Sequence, residues 1–299
     1  MYHKPVLLQE SVDGLNINPS GIYVDVTFGG GGHSTEILRR LGPKGKLFAF
    51  DQDSDAQSNI IDDPRFKFVF GNFRFIRNYL EYYQVEKVDG ILADLGVSSH
   101  QFDIADRGFS FRLGGKLDMR MNNNQKQTAA DILNQAEEER LYYIFKTYCD
   151  INNPGQLVKS ILNYRLTNKF DDIESFVETI SVATPKNREI KYLAQIFQAL
   201  RIEANDEINS LLEFLDTTPK VLNENGRLSI ISYHSLEDRP VKNLIKTGNT
   251  KGEQIFDIFG RTNSEFKAIN KQIITPSEDE LKENPRSKSA KLRIAEKIK

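Results

Sequence analysis

The sequence has little cysteine, little histidine and no long apolar run. Its 299 residues include one cysteine, Cys149, so the chain can form neither a disulfide framework nor a cysteine zinc site. The four histidines, at positions 3, 33, 100 and 234, form no helical metal-binding pair. We therefore predict no metal site and a reducing compartment.

No stretch approaches the roughly 18 apolar residues that indicate a membrane-spanning helix, and the first residues lack the apolar segment of a signal peptide. These absences predict a cytoplasmic protein without a membrane partner. The formal net charge is −2, but positive charge is concentrated at positions 282, 286, 288, 291, 293, 297 and 299. This arrangement permits contact with RNA phosphates, but by itself it is more typical of a solvated tail or of a last strand.

Seven short runs have the composition of β-strands. They cover residues 21–26, 46–50, 66–70, 88–93, 226–233, 271–275 and 289–295. The first four alternate with helical patterns, which predicts parallel pairing with right-handed crossovers. From about residue 128 to 215 the apolar periodicity is helical, and it ends in one long predicted helix over residues 193–215. We predict an α/β fold with a doubly wound, mostly parallel seven-stranded sheet and an inserted all-helical domain.

The sharpest local pattern is a glycine run between the first strand and the first helix. Residues 25–33 read Asp-Val-Thr-Phe-Gly-Gly-Gly-Gly-His, and Ser34 is the expected N-cap of the helix. Glycines at this place let the backbone turn tightly and approach a ligand beside a helix N-terminus. Asp51 follows the second strand, where a carboxylate can accept hydrogen bonds from ribose hydroxyls.

Two cofactors, or no ligand at all, are compatible with this loop. A dinucleotide site requires a third glycine where the helix crosses the strand, and the two possible registers place Ser34 or Thr35 there. S-adenosylmethionine has no pyrophosphate and needs close backbone approach together with the ribose acid. The position of the loop and its distance along the chain from Asp51 therefore favour S-adenosylmethionine over NAD and over a turn without a ligand.

The fourth strand ends at Asp94, in the run Asp-Leu-Gly-Val-Ser-Ser. Because ligands of open α/β sheets bind at the carboxyl ends of strands, we expect Asp94 to face the same pocket as Gly31 and Asp51. The alternative for Asp94 is a capping or loop role. Residues 232–238 combine Ser, His and Asp, but the nucleophile-elbow pattern of a hydrolase is absent.

These motifs together closely resemble the ribosomal RNA small-subunit methyltransferase H family, also called MraW. The matching segments are residues 3–8, 25–33, 94–99, 107–111, 117–121, 197–202, 229–238 and 284–287. They run nearly from one end of the chain to the other, although residues 148–154 depart from the family pattern. The resemblance implies methylation of N4 of one cytidine in the decoding centre of 16S ribosomal RNA, with the RNA or the small ribosomal subunit as partner.

The resemblance also implies a division of the chain and a set of cofactor contacts. A methyltransferase domain that binds S-adenosylmethionine is expected over residues 1–105 and 216–299, with an inserted helical domain over 106–215 that faces RNA. The cofactor-binding residues implied by the matching motifs are Gly31, Gly32, His33, Asp51, Phe73, Asp94 and Gln101.

Methyl transfer to a cytosine amine requires an aligned donor and acceptor and a hydrogen-bond acceptor for the amine. We predict that Asp94 is the catalytic residue, because of its place at the end of the fourth strand. A target base must leave its stack, and aromatic side chains commonly hold it. Tyr233, His234, Arg112 and Arg120 are the predicted substrate-binding residues. Phe109 and Phe111 could form a lid or an RNA-facing loop, or pack between the domain and its insertion.

Two other classes of protein compete with this interpretation. A nicotinamide-dependent dehydrogenase would bind NADH. An RNA-binding assembly factor without catalytic activity would bind RNA and show no turnover with S-adenosylmethionine.

Overall fold

The structure, a computed structural model, describes residues 5–254, 256 and 264–298. His3 and Lys4 of the first matching segment, and Lys299 of the basic end, lie outside the described residues. Within the described ranges, no helix combines the length and the apolar character that crossing a membrane demands. The chain divides into two compact units, residues 1–96 together with 208–299, and residues 97–207.

The first unit contains a single seven-stranded sheet. Its strands are β1 (Ile22–Asp25), β2 (Lys46–Asp51), β3 (Phe66–Phe70), β4 (Val88–Asp94), β5 (Leu222–Ser232), β6 (Phe266–Ala268) and β7 (Lys291–Lys297). Their order is β3-β2-β1-β4-β5-β7-β6. Strands β1 to β5 pair in parallel, and β7 runs antiparallel to β5 and β6. The predicted doubly wound, mostly parallel sheet is therefore confirmed.

Twelve α-helices are present in the described part of the chain. In chain order they are α1 (Leu8–Gly14), α2 (Gly32–Arg40), α3 (Ile76–Tyr82), α4 (Ser99–Asp103), α5 (Ala129–Gln135), α6 (Glu138–Thr147), α7 (Pro154–Arg165), α8 (Ile173–Ile180), α9 (Glu189–Asn205), α10 (Glu207–Val221), α11 (Ser235–Thr247) and α12 (Glu278–Glu283). Short 3-10 turns occur at Ser54–Asn59, Phe73–Phe75, Ala105–Arg107, Ser181–Ala183 and Pro285–Ser289.

Helices cover both faces of the parallel part of the sheet, so its central strand is apolar on both sides. In β4 the side chains of Ile91, Leu92 and Ala93 are all fully buried. Ile91 and Ala93 pack with Phe214 and Leu215 of α10, whereas Leu92 packs with Ile37 of α2 on the opposite face. The carboxyl ends of β1 to β5 consequently meet at one edge of the sheet.

The predicted strand over residues 271–275 is wrong. That segment contributes one isolated bridge, Ile274 to Leu292, and residues 266–268 form the strand beside β7 instead. The reason lies in Asn270, whose side-chain oxygen accepts from Ile294 N–H at 2.7 Å and whose Nδ2 donates to Leu292 O at 3.2 Å. The Asn270 side chain thus bonds backbone groups of β7 that would pair with the neighbouring strand if that strand were longer.

The second unit, residues 97–207, has helices as its regular elements and its own apolar core. Fully buried aromatic rings of Phe145, Phe170 and Phe176 lie at its centre. The prediction of one long helix over residues 193–215 is wrong, because α9 ends at Asn205. Asp206 adopts the left-handed conformation, with φ 50°, and α10 begins at the next residue.

Candidate active site

The loop between β1 and α2 requires glycine at the point where α2 begins. Gly31 has φ 77°, in the left-handed region that favours glycine, and a Cβ there would approach the Phe28 ring to 3.0 Å. A Cβ on Gly32 would collide with the Pro5 ring. Gly31, and not Ser34 as predicted, occupies the N-cap position. The first N–H groups of α2 therefore have no side-chain cap.

Asp25, at the end of β1, holds this loop in place through hydrogen bonds. Its side chain is fully buried and accepts hydrogen bonds from Ser34 Oγ at 2.7 Å and from Thr27 N–H at 3.1 Å. Thr27 Oγ1 in turn accepts from the backbone N–H of Asp94 at 2.7 Å. The ends of β1 and β4 are thereby fixed to the same loop, a role that the sequence interpretation missed although Asp25 lies four residues before Gly29.

Asp51 closes β2 and turns its carboxylate toward the glycine loop. Oδ2 accepts from Gly29 N–H at 2.7 Å, and Oδ1 accepts from Asp53 N–H at 2.8 Å. Burial raises the pKa of Asp51 to about 6, against the lowering effect of these two hydrogen bonds. Each carboxylate oxygen has a further lone pair, so the side chain can still accept from ribose hydroxyls.

Asp94 closes β4 and lies between two polar side chains. Its Oδ1 accepts from Tyr233 Oη at 2.7 Å, and its Oδ2 lies 4.0 Å from His33 Nδ1. Burial raises the pKa of Asp94 to about 6, although the proximity of His33 and the hydrogen bond from Tyr233 act to lower it. The side chain retains 21% exposure, so it is accessible to a ligand at this edge.

His33, in the first turn of α2, is oriented by a backbone carbonyl. Its Nε2 lies 3.1 Å from Val6 O, and the ring is buried. Burial lowers the pKa of His33, partly offset by the Asp94 carboxylate. A neutral ring that donates from Nε2 to Val6 O has its unprotonated Nδ1 toward Asp94.

Phe73 begins the 3-10 turn that follows β3. Its ring packs edge-on against Phe214, with 5.3 Å between ring centroids. Asn72 caps this turn by accepting from Arg74 N–H at 3.0 Å, and its Nδ2 donates to Gln52 Oε1 at 2.9 Å. The segment after β3 is thereby tied to the segment after β2, the two places from which Phe73 and Asp51 arise.

Tyr233 and His234 follow β5 directly. Tyr233 N–H donates to Glu237 Oε2 at 2.8 Å, and its hydroxyl reaches Asp94 as described above. His234 occupies the N-cap position of α11, and its Nε2 lies 3.0 Å from Glu237 Oε1. The carboxyl edge therefore holds eight of the predicted site residues: Gly31, Gly32, His33, Asp51, Phe73, Asp94, Tyr233 and His234.

The remaining predicted residues belong to the second unit. Gln101 is buried within α4 and forms a capping box, in which its N–H donates to Ser98 Oγ and its Oε1 accepts from Ser98 N–H. Arg112 is exposed, and its guanidinium lies 5.8 Å from the centre of the Phe111 ring.

Arg120 is engaged within its own unit. Its guanidinium donates twice to the Asp118 carboxylate, each at 2.7 Å, and Nη1 donates to Asn123 O at 3.1 Å and to Gln125 O at 2.5 Å. This geometry uses the guanidinium to close the loop over residues 118–125. The predicted contact of Arg120 with substrate is untested and stays a prediction.

The residues at the carboxyl edge fit S-adenosylmethionine on structural grounds. Gly31 has a positive φ, and no side chain caps the N-terminus of α2, which suits a ligand that approaches the backbone at this edge. Asp51 offers acceptors for a ribose, and the Asp94 carboxylate suits a cationic partner, as the sulfonium and amino groups of this cofactor are.

Comparison with known proteins identifies the family. A family model described as the MraW methylase family matches residues 1–298. A protein of Bacteroides fragilis named ribosomal RNA small subunit methyltransferase H is 55% identical, over 99% of this chain and 97% of its own length. A protein of the same name in Parabacteroides distasonis is also 55% identical, over 99% of this chain and 98% of its own length. The relative of that name in Christiangramia forsetii is 52% identical over 99% of this chain and 98% of its own length.

This chain is a methyltransferase, and it belongs to the MraW methylase family. The predicted enzyme class and the predicted methyl donor, S-adenosylmethionine, are confirmed. The assignment of individual residues to cofactor and substrate is not tested by these comparisons and stays a prediction.

Proposed function

We propose that this protein methylates the N4 amine of a cytidine in the decoding centre of 16S ribosomal RNA, in the cytoplasm, with the RNA or the small ribosomal subunit as its partner. The observation that carries the proposal is the position of Asp94. Its carboxylate lies at the same sheet edge as the glycine loop and Asp51, which supports a role for Asp94 in orienting an amine next to the proposed site of the methyl donor.

The cofactor is assigned to the loop and strand ends of the first unit. The backbone at Gly31 and Gly32 would lie against it, Asp51 would accept from its ribose, and Phe73 would pack beside it. His33, Asp94 and Gln101 complete the set that the family motifs imply. When bound, S-adenosylmethionine supplies a methyl group on a positively charged sulfur, which makes that carbon reactive toward a nucleophile.

Asp94 is proposed to orient the target amine. The lone pair of the cytosine amine is delocalised into the ring, which makes the amine a weak nucleophile. A carboxylate that accepts a hydrogen bond from the amine N–H orients the amine and increases its nucleophilicity. Transfer of the methyl group to N4 would leave the amine with one proton to release. We assign that proton to water, since deprotonation can follow methyl transfer.

The RNA backbone is proposed to meet a basic turn at the same edge. Lys291 of β7 pairs with Ser232 of β5, so the turn at Pro285–Ser289 stands beside the residues that follow β5. Arg286 and Lys288 are exposed on this turn. The turn is built firmly, because Ser287 Oγ donates to Asn284 O at 2.8 Å.

The inserted helical domain, predicted over residues 106–215, is proposed to bear a second RNA-facing surface. Exposed Arg112 supports this assignment, because a guanidinium on the surface can bind an RNA phosphate. We keep Arg112, Arg120 and His234 as proposed substrate contacts.

Replacing Lys288 by Ala is expected to weaken RNA binding similarly for different RNA sequences. One fewer phosphate contact should lower the slope of log affinity against log salt by about one. Filter binding across a salt series measures this slope. The matched control is Lys46→Ala, which removes an exposed lysine at the amino end of β2. Equal slopes in the wild type and Lys288→Ala would contradict the assignment.

Cells that lack this protein are expected to lose N4-methylcytidine from their 16S ribosomal RNA. Nucleoside mass spectrometry of 16S RNA with and without the gene tests the proposed function directly. Restoring the gene should restore the modified nucleoside, and restoring Asp94→Ala should not. Full N4-methylation in the deletion strain would refute the proposal.

A further inference from the structure

Tyr233 makes one contact that the predicted stacking role does not use. Its hydroxyl donates to Asp94 Oδ1 at 2.7 Å, although the two residues are 139 positions apart in the chain. The contact follows from the parallel pairing of β4 with β5, in which Asp94 lies opposite Ile231. Both residues therefore emerge from adjacent strand ends.

The Tyr233 ring is held from several sides. It packs against the apolar cluster of Val6, Leu7, Ile231, Ala290, Leu292 and Ile294. A Cβ on Gly96 would lie 3.5 Å from the ring, so the loop after β4 runs close to it. The backbone N–H of Tyr233 donates to Glu237, whose carboxylate is itself buried. These contacts leave the hydroxyl little freedom to move away from Asp94.

We propose that Tyr233 is a positioning residue that binds one oxygen of the Asp94 carboxylate and thereby directs the other, Oδ2, toward the reacting groups. The inference rests on the proposed function, because it assigns to Asp94 the orientation of the target amine. It differs from the stacking role in placing the contribution of Tyr233 in its hydroxyl and not in its ring.

The charges around Asp94 explain why a hydrogen bond from Tyr233 affects the ionisation of this carboxyl. Burial opposes ionisation of Asp94, and the neighbouring carboxylates Asp25 and Glu237 oppose it further. The Tyr233 hydroxyl favours the ionised form, and His33 does so only when its ring is protonated. The groups that face this pair are Asp25 from β1, His33 from α2, Glu237 from α11 and, toward Tyr233, Glu280 from α12.

Tyr233 is suited to this task because it stays neutral. Burial first, and then the Asp94 carboxylate, raise the pKa of Tyr233 well above its ordinary value. The hydroxyl consequently keeps its proton throughout the working range of pH. The hydroxyl therefore donates at every pH in this range, whereas Asp94 changes its ionisation.

The substitution Tyr233→Phe separates the hydroxyl from the ring. The titration midpoint of the Asp94 carboxyl, followed by carboxyl carbon NMR, should move to higher pH by about one pH unit, because a hydrogen bond to the charged form is lost. Tyr192→Phe is the matched control, since it also removes a buried hydroxyl that donates, here to Asn153 at 3.1 Å. It should leave the Asp94 midpoint in place.

Single-turnover methylation of small-subunit RNA provides the second measurement. Tyr233→Phe should lower the rate roughly tenfold at neutral pH, with a smaller loss at higher pH and with the affinity for RNA unchanged. In the Asp94→Ala background the same substitution should cause no further loss, because the partner of the hydroxyl is absent.

The outcomes distinguish the alternatives. An unchanged Asp94 midpoint in Tyr233→Phe, or losses that add fully to those of Asp94→Ala, would overturn the inference. Full activity of Tyr233→Phe would also overturn it, and would leave stacking or packing as the role of the ring, which Phe preserves. If the wild type methylates no small-subunit RNA, the proposed function fails, while the Asp94 titration still decides whether Tyr233 holds this carboxylate.

Discussion

Asp51→Ala is expected to weaken binding of S-adenosylmethionine by about 1–3 kcal/mol, because ribose hydroxyls lose their acceptor in a partly buried site. Calorimetry with the wild type and the variant measures this difference. No binding of NADH is expected in either protein, since the loop lacks the third glycine of a dinucleotide site. Tight NADH binding by the wild type would contradict the cofactor assignment.

The control for Asp51→Ala is a second carboxylate with the same number of structural hydrogen bonds. Asp89 accepts from Ile22 N–H at 2.8 Å and from Asn223 Nδ2 at 2.9 Å, at the amino end of β4. Asp89→Ala therefore also removes two hydrogen bonds from the sheet, but at the opposite edge. Its loss of stability should be comparable, and its affinity for the cofactor should equal that of the wild type.

The same site predicts a dependence on pH. Burial raises the pKa of Asp51 and of Asp94 to about 6, and hydrogen bonding to a cofactor would favour their ionised forms and so lower both values in the complex. Affinity should therefore be fully present above pH 6 and should fall as pH drops below it. In Asp51→Ala this fall should be shallower by about one proton. Equal pH dependence in the two proteins would show that Asp51 does not meet the ligand.

Much of this site follows from sequence because parallel strands end at one edge. Once residues 22–25, 46–51 and 88–94 are recognised as strands, Asp51 and Asp94 must come near the glycine loop. The glycine run predicts a tight turn of the backbone at this place, and the structure agrees, with a positive φ at Gly31 and Pro5 packed against Gly32. Local sequence pattern and strand topology are therefore sufficient to predict that the glycine loop, Asp51 and Asp94 lie together.

Other features depend on tertiary contacts that local pattern does not contain. The hydrogen bond from Tyr233 to Asp94 requires the register of β4 against β5, across the whole helical insertion. Asn270 ends the pairing of a segment whose Ile273 and Ile274 have high β-propensity. In both cases the deciding hydrogen bond joins residues that are far apart in sequence, Tyr233 with Asp94 and Asn270 with β7.

Phe109 and Phe111 illustrate the same limit. The sequence placed them among basic residues and left open a lid, an RNA-facing loop or packing between the domain and its insertion. Phe109 is 4% exposed in the core of the second unit, and Phe111 packs edge-on against Phe197 with 5.5 Å between centroids. Both rings therefore pack within the helical unit itself, where α9 supplies an apolar face. The sequence around Phe109 and Phe111 does not show that this helix is their partner.

Asp94→Ala is expected to have the largest effect on turnover, and comparison with Asp94→Asn separates two roles of the carboxylate. Suppose that Asp94 acts by accepting hydrogen bonds. Asn keeps a carbonyl acceptor, and because the Tyr233 hydroxyl can accept as well as donate, the amide can keep that bond while its oxygen faces the ligand. Asp94→Asn should then retain measurable activity.

Suppose instead that Asp94 removes the proton from the target amine. Neither Asn nor Ala has a basic carboxylate, so both variants should lose about 10²–10⁴ in kcat, the usual size of general-base catalysis. We expect the first result, because methyl transfer can precede deprotonation and water can then carry the proton away. Under this role Ala loses the larger part of the rate and Asn the smaller.

Single-turnover kinetics at saturating S-adenosylmethionine make the comparison, with unfolding temperatures and cofactor affinities of each variant as controls. Equal, large losses in Asn and Ala, in variants that still fold and bind the cofactor, would establish proton removal and refute orientation.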